Sequence, residues 1–115
     1  MAPNDPQRFL PLATLSYYVL LALGEGPAHG WAVIKRIHEL TDGTASPSSG
    51  SLYLAMVRLQ DDGLLAESPT PAGDDARRRY YRLTPLGRAV ARAESQRLAR
   101  LVRHARALDL LQEPK

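Results

Sequence analysis

Arg77, Arg78 and Arg79 stand in a row directly before Tyr80 and Tyr81. Consecutive guanidinium groups leading into an extended segment can bind phosphate oxygens across a groove without reading sequence, while the two aromatics pack the strand. A second cluster lies upstream, where Ser48, Ser49 and Ser51 open a segment that continues through Tyr53 and Arg58. Short hydroxyls and the free amides of a helix start hydrogen-bond phosphate oxygens, and one outward arginine can reach a guanine edge or a further phosphate. Lys35 adds an outward cation. Each feature alone has a plainer reading: serines at helix starts act as caps, arginines solvate a surface, and Asp74 and Asp75 in the turn would repel a phosphate chain. Their combination points to a nucleic-acid backbone.

Catalytic chemistry finds no footing. His29, His38 and His104 lack metal-site spacing, and no acidic pair is placed for acid and base roles. Gly24, Gly26 and Gly30 follow a helix instead of a strand, so the phosphate-cradle geometry is missing, and Ser49-Gly50-Ser51 lacks the strand-to-helix elbow of a hydrolase. The histidines are expected in a turn (His29) and on helix surfaces (His38, His104). The chain has no cysteine, which excludes disulfides, thiolate metal sites and thiol nucleophiles and points to a reducing cytoplasm. No catalytic residue, metal or cofactor is expected.

With 115 residues, 44% of them hydrophobic, the chain suits one domain. Its net charge of +3 hides an asymmetry: residues 1–75 carry four basic and nine acidic side chains, and residues 76–115 eleven basic and three acidic. A basic half suggests a polyanionic partner, although arginines 88–106 serve equally well to solvate an amphipathic helix. Arg8 before the apolar run 12–23 superficially resembles a targeting segment. Thr14, Ser16, Tyr17 and Tyr18 interrupt that run, and it is far shorter than the roughly 20 residues of a spanning helix, so no membrane partner is expected.

Hydrophobic spacing supplies the scaffold. Residues 1–11, with three prolines, read as a loose arm. Positions 12, 15, 19, 22 and 23 form one face of a first helix ended by Gly24; Tyr18, Leu20 and Leu21 lie off that face, so the helix is apolar nearly all round. A second helix spans about 29–41, with Trp31, Ile34, Ile37 and Leu40 inward and Lys35, Arg36 and Glu39 outward. Ser46 and Pro47 give a cap-then-proline start for a third helix to about residue 62. Leu52, Met56 and Leu59 set its inner face, Ser51, Leu54 and Arg58 point outward, and Tyr53 sits on the flank.

Gly63 ends the third helix, and strands over 64–68 and 78–83 make a hairpin, with Arg79, Tyr81 and Leu83 on one face and Arg78, Tyr80 and Arg82 on the other. Thr84-Pro85 opens a last helix to about residue 111, some 40 Å long. Three short helices and a hairpin cannot cover a stripe of that length, so its distal half calls for a partner, most simply a second copy. Leu15, Tyr18 and Val19, with Leu98, Leu101, Val102, Ala105 and Leu108, are the candidate dimerisation residues.

These blocks also carry a family resemblance. Leu20-Leu21-Ala22-Leu23-Gly24, Pro27-Ala28-His29-Gly30-Trp31 and Ile34-Lys35-Arg36-Ile37 resemble the opening of PadR-like transcriptional regulators. The likeness continues through Ser49-Gly50-Ser51-Leu52-Tyr53, Arg58-Leu59 and Asp62-Gly63-Leu64-Leu65 to the run from Arg78 to Arg88, and covers about residues 12–90. It implies a winged helix-turn-helix repressor that dimerises through its first and last helices and is often released from DNA by a small molecule. Leu54 stands where the family usually has proline and Ala32 where it has an acidic residue; both departures bear on base readout, not on the fold. A single carboxy-terminal helix places the chain with the short members.

The expected fold is therefore mainly α with a small β-hairpin: a flexible arm (1–11), a winged helix-turn-helix DNA-binding domain (12–83), and a dimerisation helix with tail (84–115). The expected function is that of a sequence-specific DNA-binding regulator, a repressor acting as a homodimer on an inverted-repeat operator in double-stranded DNA. Two alternatives stay open. One is a winged protein-interaction module whose arginines only solvate; the other is a ligand-sensing regulator with a flat aromatic effector at the dimer interface, lined by Trp31 and the tyrosines.

Overall fold

The computed structural model describes residues 5–112, so the outermost parts of the expected arm and tail lie outside the described residues. The chain runs through α1 (Thr14–Gly24), β1 (Ala28–His29), α2 (Gly30–Leu40), α3 (Ser49–Asp61), β2 (Leu65–Ser68), β3 (Tyr80–Leu83) and α4 (Pro85–Ala107). The expected order of three helices, hairpin and long helix is present. Part of the segment read as a loose arm is instead ordered: Pro6–Phe9 forms a 3-10 turn capped by Asp5, and it packs on α4.

α1 buries Val19, Leu20, Ala22 and Leu23 and touches α2, α3, β3 and α4, so its all-round apolar surface is used within one copy. Val19, assigned above to a dimer surface, is wholly buried in its own chain and cannot face a partner. Leu15 and Tyr18 are half-buried against the core. Arg36, expected outward, turns back to donate to the Ala22 and Gly26 carbonyl oxygens at 3.0 and 2.8 Å. A cation thereby meets the negative end of α1, where the Ala22 carbonyl also accepts from the Glu25 amide at 3.4 Å.

α2 buries Val33 and Ile37, whereas Trp31 is 70% exposed and Leu40 also faces solvent, contrary to the inward placement expected for both. The reason is geometric. Nine residues separate Trp31 from Leu40, about 180° around the helix at about 100° per residue, so no single face holds both.

The cap of α3 is Ser48, two residues beyond the expected Ser46; its hydroxyl accepts from the Ser51 amide at 3.1 Å. Leu52, Met56 and Leu59 are buried as expected. At its far end Gly63 takes a φ of 81°, letting the Leu64 amide donate back to the Leu59 carbonyl at 2.9 Å and that of Gly63 to Gln60 at 3.0 Å. This left-handed turn is natural for glycine and delivers the fully buried Leu64 to the core.

The hairpin gains a third strand that the sequence did not reveal. β1 pairs antiparallel with β3 (Ala28↔Tyr81, His29↔Tyr80), and β2 lies on the other side of β3, with Leu65 opposite Leu83 and Ser68 opposite Tyr80. His29, expected in a turn, therefore belongs to the sheet. Its Nδ1 accepts from the Ala32 amide at 3.3 Å, capping α2, and its ring meets Tyr80 edge-on at 5.2 Å.

α4 ends at Ala107, short of the expected residue 111. Its start is fastened to the wing: the Thr84 amide donates to the Leu64 carbonyl at 3.1 Å, and the Thr84 hydroxyl donates to Gly63 at 2.6 Å while accepting from the Gly87 amide at 3.0 Å. Gly87 lies so near that a Cβ there would sit 2.0 Å from the Leu64 carbonyl oxygen. Farther along, the buried Glu94 carboxylate accepts from Arg97 Nε at 2.5 Å and from the Leu12 amide at 2.8 Å. Those donors, Arg97 foremost, hold its carboxyl below the ordinary value against the opposing effect of burial.

Candidate nucleic-acid interface

Three elements carry the expected contact residues, and a groove between two of them, α3 and the wing, brings together Ser49, Tyr53, Arg78 and Arg79 but not Lys35, Ser48, Ser51, Arg58 or Arg77. Ser49, Tyr53, Val57 and Gln60 on one flank of α3 face Arg78, Arg79 and Tyr81 of the wing across a concavity of about 450 Å³. The arginines therefore stand on the same side of the molecule as an open flank of the third helix. Ser51, Leu54 and Arg58 are exposed, as is Lys35 on α2. A helix with such a face is dimensioned for a major groove, with the wing at its side for the flanking backbone.

The hydroxyls divide their work. Ser48 is occupied as the helix cap and donates to Ser51 Oγ at 3.0 Å, so of the serines considered Ser49 and Ser51 keep more of their hydrogen-bonding capacity for an outside partner.

The acidic turn does more than repel. Arg77 pairs with Asp75 at 3.1 Å, Arg78 with Asp74 at 3.2 Å and Arg79 with Glu67 at 3.7 Å. The Tyr80 hydroxyl donates to Asp74 and, with the Asp75 amide, holds that carboxyl below its ordinary value. Hydrogen bonds from Arg77 do the same for Asp75. Exposed pairs of this kind contribute little net stability, so a phosphate oxygen can replace a carboxylate at small cost. β3 begins only at Tyr80, leaving Arg77, Arg78 and Arg79 outside the paired ladder.

Sequence reasoning missed Trp31, Val57 and Gln60 on this surface. Trp31 was read as core; Val57 and Gln60 follow from Tyr53 by steps of four and three, the signal that would have found them.

The expected dimer residues of α4 show a related pattern. Gly87, Val90, Ala93 and Glu94 are its buried positions, and nothing beyond Glu94 is buried. At about 100° per residue, Leu98, Leu101, Ala105 and Leu108 continue the Gly87, Val90 and Glu94 face. Leu101 is 52% and Leu108 68% exposed, with Val102 beside them also exposed.

Three helices with a winged hairpin and a long trailing helix define the winged helix-turn-helix class. The chain belongs to the transcriptional regulator PadR-like family, whose profile matches residues 19–93. An uncharacterized 37.1 kDa protein in transposon TN4556 of Streptomyces fradiae is 37% identical over 83 residues, 72% of this chain and 22% of that protein. The chain thus spans about a fifth of that relative's length. The PadR-like transcriptional regulator of Bacillus cereus superposes with a TM-score of 0.71 at 17% identity, covering 85% of this chain and 93% of that one. Bacillus subtilis PadR, solved in complex with operator DNA, gives 0.61 at 22% identity over 70% of this chain and 47% of that one. Among the described residues, no helix is long and apolar enough to cross a membrane.

Proposed function

We propose that the protein is a repressor that binds double-stranded DNA as a homodimer. The two α3 helices enter successive major grooves, and Arg77, Arg78 and Arg79 reach the flanking phosphates, with Lys35 as a further backbone contact. Ser49, Ser51, Tyr53 and Arg58 supply the α3 contacts, and Ser48 holds the end of that helix. The observation that carries this reading is the shared groove: wing arginines and the open flank of α3 face one another. The operator complex of Bacillus subtilis PadR supports the mode of binding, and the bare distal stripe of α4 supports the dimer. The operator is then an inverted repeat with half-site centres about 34 to 36 Å apart, or a multiple of that.

The test is the salt dependence of binding to a duplex selected by the protein from a random pool. If Arg58 and Arg78 each cover one phosphate, replacing either by alanine lowers the slope of log affinity against log salt by about 0.9. An unchanged slope in both variants removes them from the interface. Failure to retain any duplex at low salt would favour the protein-interaction reading, which the self-paired wing arginines also suit.

A further inference from the structure

The side of α3 that points straight away from the core carries a hydrocarbon. Leu54 lies two positions from both Leu52 and Met56, about 160° round the helix from each in opposite senses, so it stands at the apex of the outward face. It is 70% exposed and lies outside the groove that α3 shares with the wing. The exposed Ser51 and Arg58 flank it on one side, and the exposed Tyr53 and Val57 on the other. One turn back on the same line is Gly50, with open space where a Cβ would stand. Helical side chains lean toward the amino end, so Leu54 extends over that bare turn. Residues 43–60 hold no carboxylate side chain, and Asp61 and Asp62 follow only at the far end of the helix. The part of α3 that can approach a phosphate-lined groove therefore has Leu54 near its centre.

A helix seated in a major groove brings its apex nearest the base edges, while its flanks reach the walls. Leucine has neither donor nor acceptor, so it cannot use the hydrogen-bonding pattern of those edges. The apolar group they offer is the thymine C5 methyl. A cytosine N4, adenine N6 or guanine O6 pressed against Leu54 would lose water and gain no partner, which disfavours those bases at the same point. We propose that Leu54 determines specificity by covering a thymine methyl at one position of each half-site. This inference rests on the DNA-binding reading above and adds to it a base preference, on a residue to which that reading gives no contact.

Replacing thymine by deoxyuridine removes that methyl and leaves the Watson–Crick pair and the O4 acceptor in place. In the duplex that the full chain selects from a random pool, each thymine is exchanged for deoxyuridine in turn, and affinity is read by fluorescence anisotropy. One position in each half-site is expected to weaken binding about fourfold, the effect of returning one buried methyl to water, and the two together about fifteenfold. Leu54→Ala is measured on the same duplexes. Because Leu54 is so exposed, this variant keeps the fold, which circular dichroism checks. In it the thymine-to-deoxyuridine ratio at those positions is expected to fall to about one, while the salt slope stays that of the parent because no phosphate contact is lost. A duplex that is retained but indifferent to every deoxyuridine overturns the inference and leaves the DNA reading standing. So does a deoxyuridine effect that persists undiminished in Leu54→Ala, which would give the methyl to another side chain. If no duplex is retained even at low salt, the DNA reading falls and takes this inference with it.

Discussion

Replacing Gly87 by alanine tests the joint between α4 and the wing. A Cβ built there meets the Leu64 carbonyl oxygen at 2.0 Å and its carbon at 3.0 Å, both backbone atoms that no rotamer change can move. Relief requires α4 and the start of β2 to separate by roughly 1 Å, which strains the overpacked contact at a cost of about 1 to 3 kcal/mol. The same shift stretches the Thr84 bonds to Leu64 and Gly63, now 3.1 and 2.6 Å, each worth about 1 kcal/mol. Against this stands the better helix propensity of alanine, about 1 kcal/mol. The net expectation is a loss of about 2 to 4 kcal/mol, a fall in melting temperature of about 10 °C or more for a domain of this size. Gly50→Ala is the control, since Gly50 lies in α3 with nothing within 4 Å of its added Cβ, and it should gain up to about 1 kcal/mol. Circular dichroism melts and urea titrations at one fixed protein concentration measure both. A Gly87→Ala protein within about 0.5 kcal/mol of the parent would refute the claim that backbone proximity selects glycine there.

Two further outcomes follow from α4. The folded state holds the Glu94 carboxyl below its ordinary value of 4.5, so its contribution to stability is complete above that pH and is lost as pH falls through the folded value. Glu94→Gln should therefore cost about 2 kcal/mol at neutral pH, with the deficit shrinking as melts are repeated below pH 4.5; a pH-independent difference would show that the carboxylate charge contributes nothing. On the exposed stripe, Leu101→Glu should convert a dimer to a monomer in light scattering while leaving helix content unchanged, because Leu101 is already 52% exposed in one copy. A parent protein that is monomeric at micromolar concentration would sink the dimer itself.

Element order was legible because long-range packing agrees with local pattern along most of the chain. Leu52, Met56 and Leu59 follow the helical repeat and are buried, and the Thr84-Pro85 start signal falls where α4 begins. The Ser46-Pro47 signal misled because Ser48 offers a second hydroxyl two residues on, and only the backbone decides which amide it reaches. Trp31 misled because spacing by threes drifts about 60° per step, so its apparent alignment with Ile37 and Leu40 dissolves on a real helix, while Val33 and Ile37, four apart, stay together. β1 was invisible: two residues carry no periodicity, and their pairing with β3 depends on chain segments about fifty residues apart. The arginine run was legible as charge but not as ion pairs, since Glu67 reaches Arg79 only through the sheet register.

The end of α3, the root of the wing and the start of α4 meet within two residues. Gly63 closes α3 and accepts from Thr84; Leu64 buries its side chain, accepts the Thr84 amide and abuts Gly87. A rotation of α4 cannot be absorbed at a flexible linker, because Thr84 is itself the α4 cap. It must instead tilt α3 and the wing together. If two α4 helices pair along the face that Leu101 and Leu108 continue, their crossing geometry fixes the separation and angle of the two α3 helices. Changes at the dimer stripe should then alter the preferred half-site spacing as well as the association constant, a coupling that a hinged linker between the two parts would not produce.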